Sequence, residues 1–476
     1  VQITGGSGDD TLTVGAMGVA VSFDGGAGNN TLRLEASGAA VALNGAGGTV
    51  SGAGTAGVTF SNVAAIRASG TGNTLDGPTA DTTWTLTGLN AGSVGALSFS
   101  GFDDMVGSAG NKDTFVVASG GALSGAIDGG LGGFDTLVIN GSHSSVSSTA
   151  NNATSGTITL DGSAIVYREL EPITIHPDPA PVTPIAAVTI NGSTGNDHIT
   201  IQNGTAGNLV ASAPTMESIT FPVPTSTLTI DGGDGDDEVT IAGTLTFSGI
   251  AFLVRAEKIT VGLGTVVMNP GGSISLVAAS DQTGSALSGL VNATGSASTT
   301  VTSAQLVGAA ILLSARSTVA PPSPSSKFIG LHADSTATVS VTGASDLSAS
   351  ATVTLSASST VTAPMSAVAS PGDGTPGADI AVAGALISSS ATASLDGTSL
   401  VRAGGDVSIT ATNVVAATAS GDASAATGGA GIALANVTQR TSASVGGSAS
   451  ITAANLTVLA DSDGSVTSSS HASRGG

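Results

Sequence analysis

The 476 residues carry a formal charge of −22, with only 11 Lys and Arg against 33 Asp and Glu. That balance excludes nucleic acid and anionic membrane surfaces, which need clustered basic residues, and favours divalent cations. The chain has no cysteine, which removes disulfides and thiolate metal sites, and no apolar run approaches the ~20 residues of a membrane span.

Glycine is 69 of 476 residues, about double the ~7% average. Aromatics are only 3%, yet 40% of the chain is hydrophobic, which is not the signature of disorder. A core is therefore expected, built from small side chains in a regular geometry. Alanine alternates with Thr, Val and Ser, a period of two that points to strands rather than helices.

In chain order, residues 1–45 hold two glycine turns that each run into an alternating strand. They are Gly5-Gly6-Ser7-Gly8-Asp9-Asp10-Thr11-Leu12-Thr13-Val14 and, 20 residues on, Gly25-Gly26-Ala27-Gly28-Asn29-Asn30-Thr31-Leu32. Residues 46–100 read as Gly/Ala/Thr strands and hold the single tryptophan, Trp84. Two looser turns begin at Gly107 and, 22 residues later, at Gly129. Four prolines in the eight positions 177–184 mark a boundary, because proline cannot sit in a central strand. Beyond it come Asn191-Gly192-Ser193-Thr194-Gly195-Asn196-Asp197-His198 and the clearest turn, Asp231-Gly232-Gly233-Asp234-Gly235-Asp236-Asp237-Glu238-Val239-Thr240-Ile241. Gly192 and Gly232 lie 40 apart. The strand after the last turn alternates, with Glu238 and Thr240 outward and Val239 and Ile241 inward.

From about residue 250 the acidic turns stop. Two matches appear at an offset of 42: Gly404-Gly405-Asp406-Val407-Ser408-Ile409 with Gly446-Gly447-Ser448-Ala449-Ser450-Ile451, and Ile311-Leu312-Leu313-Ser314-Ala315 with Val353-Thr354-Leu355-Ser356-Ala357. Steps of 20, 22, 40 and 42 share a unit of about 20–21 residues. The fold expected is all-β, a parallel β-helix or β-solenoid, each coil being three short strands joined by turns. Its divisions are 1–175, a Pro-rich linker or crossing at 176–190, 191–250, and 251–476. Pro321–Pro324 and Pro371–Pro376 read as loops protruding from coils. Val1 opens mid-pattern, which reads as a piece of a longer chain or a matured one.

The front turns resemble the haemolysin-type (RTX) calcium-binding nonapeptide, G-G-x-G-x-D-x-U-x with U apolar. Gly5–Thr13 and Gly232–Thr240 fit it; Gly25–Arg33 departs where Asn30 replaces the key aspartate, and Gly192–Thr200 where Ser193 replaces glycine. The resemblance implies calcium held by turn carbonyls together with Asp9, Asp10, Asp197, Asp231, Asp234, Asp236 and Asp237. Hydrogen bonding within the turn is the alternative role for the same side chains. The back-half strands are similar to filamentous-haemagglutinin-like repeats of giant bacterial surface or secreted adhesins. That likeness implies an extracellular or cell-surface location, adhesion or matrix roles, surface glycans as ligands, and assembly with other copies end to end or side by side. An uncapped stack has edge strands that need such partners.

The function expected is therefore a structural or adhesive β-solenoid, locally stabilised by calcium. A β-helical carbohydrate-active enzyme, lyase or hydrolase, is the alternative. It would need clustered charge and aromatic sugar platforms, whereas Trp84 and Tyr167 stand alone and read as core or cap residues. The five histidines show no ligand spacing and no nucleophile–base pair stands out.

Overall fold

The computed structural model describes residues 1–45, 47–176, 184–287, 289–322, 326–369, 378–426 and 428–473. The middle of the Pro-rich boundary, residues 177–183, lies outside this set, as do residues 323–324 and 371–376 of the two proposed loops. Among the described residues the protein is all-β apart from one 3-10 turn at Thr205–Gly207. The strands belong to two sheets in which most neighbours are parallel. Two compact units divide the chain, Val1–Leu228 and Thr229–Gly476.

In the first unit the chain alternates between the sheets. Gln2–Thr4 lies in one, Thr11–Val14 in the other, Val21–Asp24 in the first again, Thr31–Leu34 in the second. Gln2 stands opposite Ser22 and Thr11 opposite Thr31, a step of 20; Thr114 stands opposite Thr136, a step of 22. Each round of the chain thus supplies two strands, not the three expected. The glycine turns make this tight path possible. Gly26 and Gly28 have positive φ (72° and 97°), and a Cβ on either would lie 2.4 Å from the carbonyl oxygen of Gly6 or Gly8 in the preceding turn.

The parallel expectation needs a second correction. Antiparallel three-strand meanders interrupt the alternation: Ala39–Leu43, Gly48–Gly52 and Val58–Ser61 in one sheet, then Thr83–Gly88, Ala91–Val94 and Leu97–Ser100 in the other. A third, Ser145–Asn152, Ser155–Leu160 and Ser163–Arg168, returns to the first sheet. The last strand of the first meander joins the round before it, through Val21–Asp24, and its first strand joins the round after it, through Thr74–Asp76. A fourth meander, His198–Asn203, Leu209–Ala213 and Met216–Phe221, falls in the second sheet, so the meanders alternate between the two.

The interior is a set of columns in which successive rounds place one side chain over the next. Trp84, Phe115, Leu137, Ile173 and Ile219 form one, all fully buried, with the Trp84 and Phe115 rings stacked at 5.2 Å. Leu75, Met105, Ile127 and Tyr167 form another in the facing sheet. Trp84 and Tyr167 are thus core residues. Complete burial of each such side chain contributes roughly 1.5–3 kcal/mol.

The second unit begins with the same step, Glu238 opposite Lys258, and its strand alternates as expected, Val239 and Ile241 being buried. The step then widens. Lys258 stands opposite Ser298, Ile311 opposite Val353, Val382 opposite Ile432 and Val407 opposite Leu456, steps of 40, 42, 50 and 49. The step of 42 therefore joins directly paired neighbours, and does not span two rounds of about 21. The other match at 42 is not a pairing at all: Ser450–Thr452 lies beside Leu400–Arg402, while Val407 pairs with Leu456. Strands here reach 18 residues, as in Ala378–Leu395 and Gly428–Val445.

Candidate functional site

The acidic turns are the first place to look for chemistry. Asp9 is exposed and its Oδ1 accepts the N–H of Asn29 at 2.7 Å, one round on. Asp10 is half-buried; its Oδ2 accepts the N–H of Gly6 at 2.7 Å, while its own N–H donates to Asn30 Oδ1 at 2.9 Å. Asp197 is fully buried and accepts from the Ser193 N–H at 2.6 Å, from Ser193 Oγ and from Thr215 Oγ1. Asp231 accepts the Gly233 N–H at 3.3 Å and lies 3.5 Å from Arg255 Nη1. Asp237 is buried, and its N–H donates to Glu257 Oε2 at 2.8 Å. Asp234 and Asp236 are exposed.

Asp10 and Asp113 show one pattern: the side chain under the turn accepts a backbone N–H of the turn, from Gly6 and Ser108, and the backbone N–H of the same residue bonds to its equivalent in the next round, Asn30 and Asp135. Asn30 shows why asparagine serves as well as aspartate. Its Oδ1 accepts from Asp10 and its Nδ2 donates to the Asn62 carbonyl at 3.0 Å. Asn73 and Asn269, both fully buried, bridge rounds in the same way. An aspartate in this place carries a charge out of water. Asp113 and Asp135 stack directly, the Asp113 N–H donating to Asp135 Oδ1 at 2.6 Å. Burial raises the Asp113 carboxyl, and burial together with the charges of Asp113 and Asp81 pushes Asp135 up to about 6. Burial likewise raises Glu257, with Asp237 and Asp236 adding to it.

Calcium takes six to eight oxygens gathered around one point. The nominated carboxylates are divided instead: Asp197 is buried and bonded within its turn, Asp237 is buried, and Asp234 and Asp236 face outward. Among the described residues no group of three His, Asp or Glu side chains converges so as to hold a metal. Several of these residues hydrogen-bond across their corners: Asp9, Asp10 and Asp197 accept backbone N–H groups.

Two interior features were not nominated from the sequence. In the first unit Glu217, only 2% exposed, reaches the interior beside Tyr167 and Ser148. None of the Glu217 oxygens, the Tyr167 hydroxyl or the Ser148 hydroxyl makes a hydrogen bond of ordinary geometry. Burial pushes the Glu217 carboxyl up to about 7, opposed by the nearby Tyr167 hydroxyl and reinforced by the charge of Glu171. Burial and the Glu217 charge raise the Tyr167 hydroxyl in turn. Gly156 makes room for the ring, since a Cβ there would lie 2.4 Å from the Tyr167 oxygen.

In the second unit a polar seam zigzags between the sheets. Ser335 Oγ lies 2.9 Å from Ser317 Oγ, Ser359 Oγ lies 2.8 Å from both Ser335 Oγ and Ser389 Oγ, and Ser389 Oγ donates to Asn413 Oδ1 at 2.6 Å. Gln439 Nε2 ends the chain of bonds on the Asn413 carbonyl at 2.8 Å. Every serine in it is buried. One apolar cluster, with Val319, Val361, Met365, Ile387 and Val415, lies wholly to one side of the seam. Leu313, Val339, Leu355, Leu395 and Ile409, also buried, fall to the other side along their strands. The wide round is thus two apolar lobes side by side, pinched together by serines. The sequence signal was present: in Ile311–Val319 the residue at the inward parity between Ala315 and Val319 is Ser317.

No family model and no curated protein sequence matches the chain. The likeness to RTX and adhesin repeats rests on the motif residues alone.

Proposed function

We propose that the chain is a β-solenoid segment of an extracellular structural or adhesive protein, with rounds of about 20 residues in front and of about double that circumference behind. The observation that carries this reading is the registry of the interior. Side chains stack round upon round, and the polar groups at corners and seam are satisfied mainly by the next round, so the array gains its cohesion by repetition. Support also comes from the strand Leu456–His471, whose apolar residues Leu456, Val458 and Val466 are 51%, 43% and 49% exposed although they continue buried columns. Such a surface accepts a further β-round, as from a second copy. Surface glycans or matrix are the ligands that the adhesin resemblance suggests. Calcium has a small place in this reading, as a counter-ion of Asp231, Asp234 and Asp236.

Against a carbohydrate-active enzyme stands the interior position of both Trp84 and Tyr167, the two residues best suited to hold a sugar ring. Electron microscopy and fibre diffraction test the proposal. Fibres with a repeat of about 4.8 Å along the stack are expected; particles that never associate, with glycan-cleaving activity, would refute it.

A further inference from the structure

The outer face of the strands Leu290–Thr302, Phe328–Thr342, Ala378–Leu395 and Gly428–Val445 carries an uncharged apolar patch around a depression of about 820 Å³. Register places Leu290, Gly330, Gly384 and Leu434 in one row across these strands. The two glycines are the floor and the two leucines the end walls. Phe328, Val382 and Ile432 form the row on one side; His332 and Leu386 lie on the other. Leu290, Phe328, Ile380, Leu386, Ile432 and Leu434 are 45–67% exposed.

We propose that this face is a lateral interface that binds a second copy of the same chain across a two-fold axis, each copy placing a leucine in the other's glycine-floored depression. The proposal rests on the scaffold reading above and names one of its contacts. Area supports it. Taking roughly 200 Å² for a whole large apolar side chain, the six expose on the order of 600 Å². A standard interface buries about 800 Å² per partner, and a homodimer interface is about 65% apolar, or roughly 520 Å². The patch matches that requirement and reaches the upper end of what monomers leave open, about 300–600 Å². Shape supports it as well, because a two-fold contact must supply knob and hole from one surface. So does charge: two copies at −22 each repel, and they meet at least cost where carboxylates are absent or paired. These four strands carry two carboxylates, Asp379, paired with Lys327 at 2.7 Å, and Asp334, 3.4 Å from His332 Nε2.

Sedimentation velocity on the full chain over a wide concentration range tests this. Wild type is expected to pass from monomer to dimer. Gly384→Val fills the depression; a Cβ there meets nothing within 4 Å and the backbone is not left-handed, so the fold should tolerate it. Leu434→Ser removes a wall. Each should weaken dimerisation roughly tenfold or more. A wild type that stays monomeric at every concentration overturns the proposal, and so does a dimer that both variants leave intact. Electron microscopy of the same samples separates the two readings: fibres formed by the Gly384→Val protein would preserve the scaffold whatever becomes of the face.

Discussion

Replacing Glu217 by glutamine should make the first unit less sensitive to pH, and the structure sets the size of the effect. The Glu217 carboxyl is raised from 4.5 to about 7 because it is buried without a cation or an ordinary hydrogen bond. The folded state therefore prefers the proton. Below about pH 4.5 both states hold it and Glu217 costs nothing extra. As pH rises, the unfolded chain releases the proton first, stability falls, and the loss is complete above about pH 7. That gap, at about 1.4 kcal/mol per pH unit, is worth roughly 3 kcal/mol. Repeat arrays need not unfold as one unit, so the assay should be local. Hydrogen exchange of the amides in Ser163–Arg168 and Met216–Phe221, converted to opening free energies, compares wild type with Glu217→Gln from pH 4.5 to 8. The two should agree at the acid end, and the variant should be more stable by roughly 3 kcal/mol at the alkaline end. Tyr167→Phe removes the hydroxyl that favours the anion and should shift the wild-type midpoint upward. Parallel curves for wild type and Glu217→Gln would refute the reasoning.

Other expectations follow from single contacts. Ser359→Ala deletes a hydroxyl that bridges Ser335 and Ser389 and should cost about 1–3 kcal/mol in denaturant melts, while Ser358→Ala, on the outward parity of the same strand, should change stability by less than about 0.5 kcal/mol. Gly77→Ala would set a Cβ 2.6 Å from the Trp84 ring, so the indole must move; loss of the Trp84 fluorescence and near-ultraviolet dichroism of the folded state is the expected readout. Calcium at saturation should stabilise the chain by less than about 1 kcal/mol over chelator, because the Asp10 and Asp197 carboxylates are already engaged in their turns. Exchange in residues 1–45 or 191–245 that collapses on chelation would show that these corners do gather an ion.

Much of the fold was legible because alternation and step are both backbone properties. A glycine turn with a following T-h-T-h strand recurs at 20 residues, and Thr11 does stand opposite Thr31. What the sequence left ambiguous was the meaning of a multiple. A step of 42 fits two narrow rounds or one wide one, and only the register of Ile311 on Val353 decides it. The meanders were hidden for a related reason. Strands such as Gly48–Gly52 have the same small, alternating composition as those of the coils, so nothing local marks their direction. Among the nominated carboxylates the spacing located the turns but left their chemistry open. Aspartate under a glycine turn serves N–H groups or an ion equally well on paper, and Asn30 in the equivalent place favours the first role, since an amide can donate and accept along the stack where an ion wants charge.

The seam gives a reason for the wide rounds to keep their register. Their interior is mostly Ala, Val and Leu, and a slip of one residue is forbidden because it would turn the buried face outward. A slip of two residues preserves the faces and exchanges one small apolar side chain for another, so the apolar columns discriminate weakly against it. It would not preserve the seam. Moving Ile311–Val319 by two residues sets Ser317 beside Ala357 or Val361 in place of Ser359 and leaves buried hydroxyls in apolar columns. Each stranded hydroxyl costs about 1–3 kcal/mol. Four serines and an asparagine spread over successive rounds therefore fix an alignment that bulk hydrophobicity leaves open, as a buried polar residue fixes the register of a coiled coil. The front unit has another device: corner side chains such as Asp10 on Asn30 and Asp113 on Asp135 pair round with round.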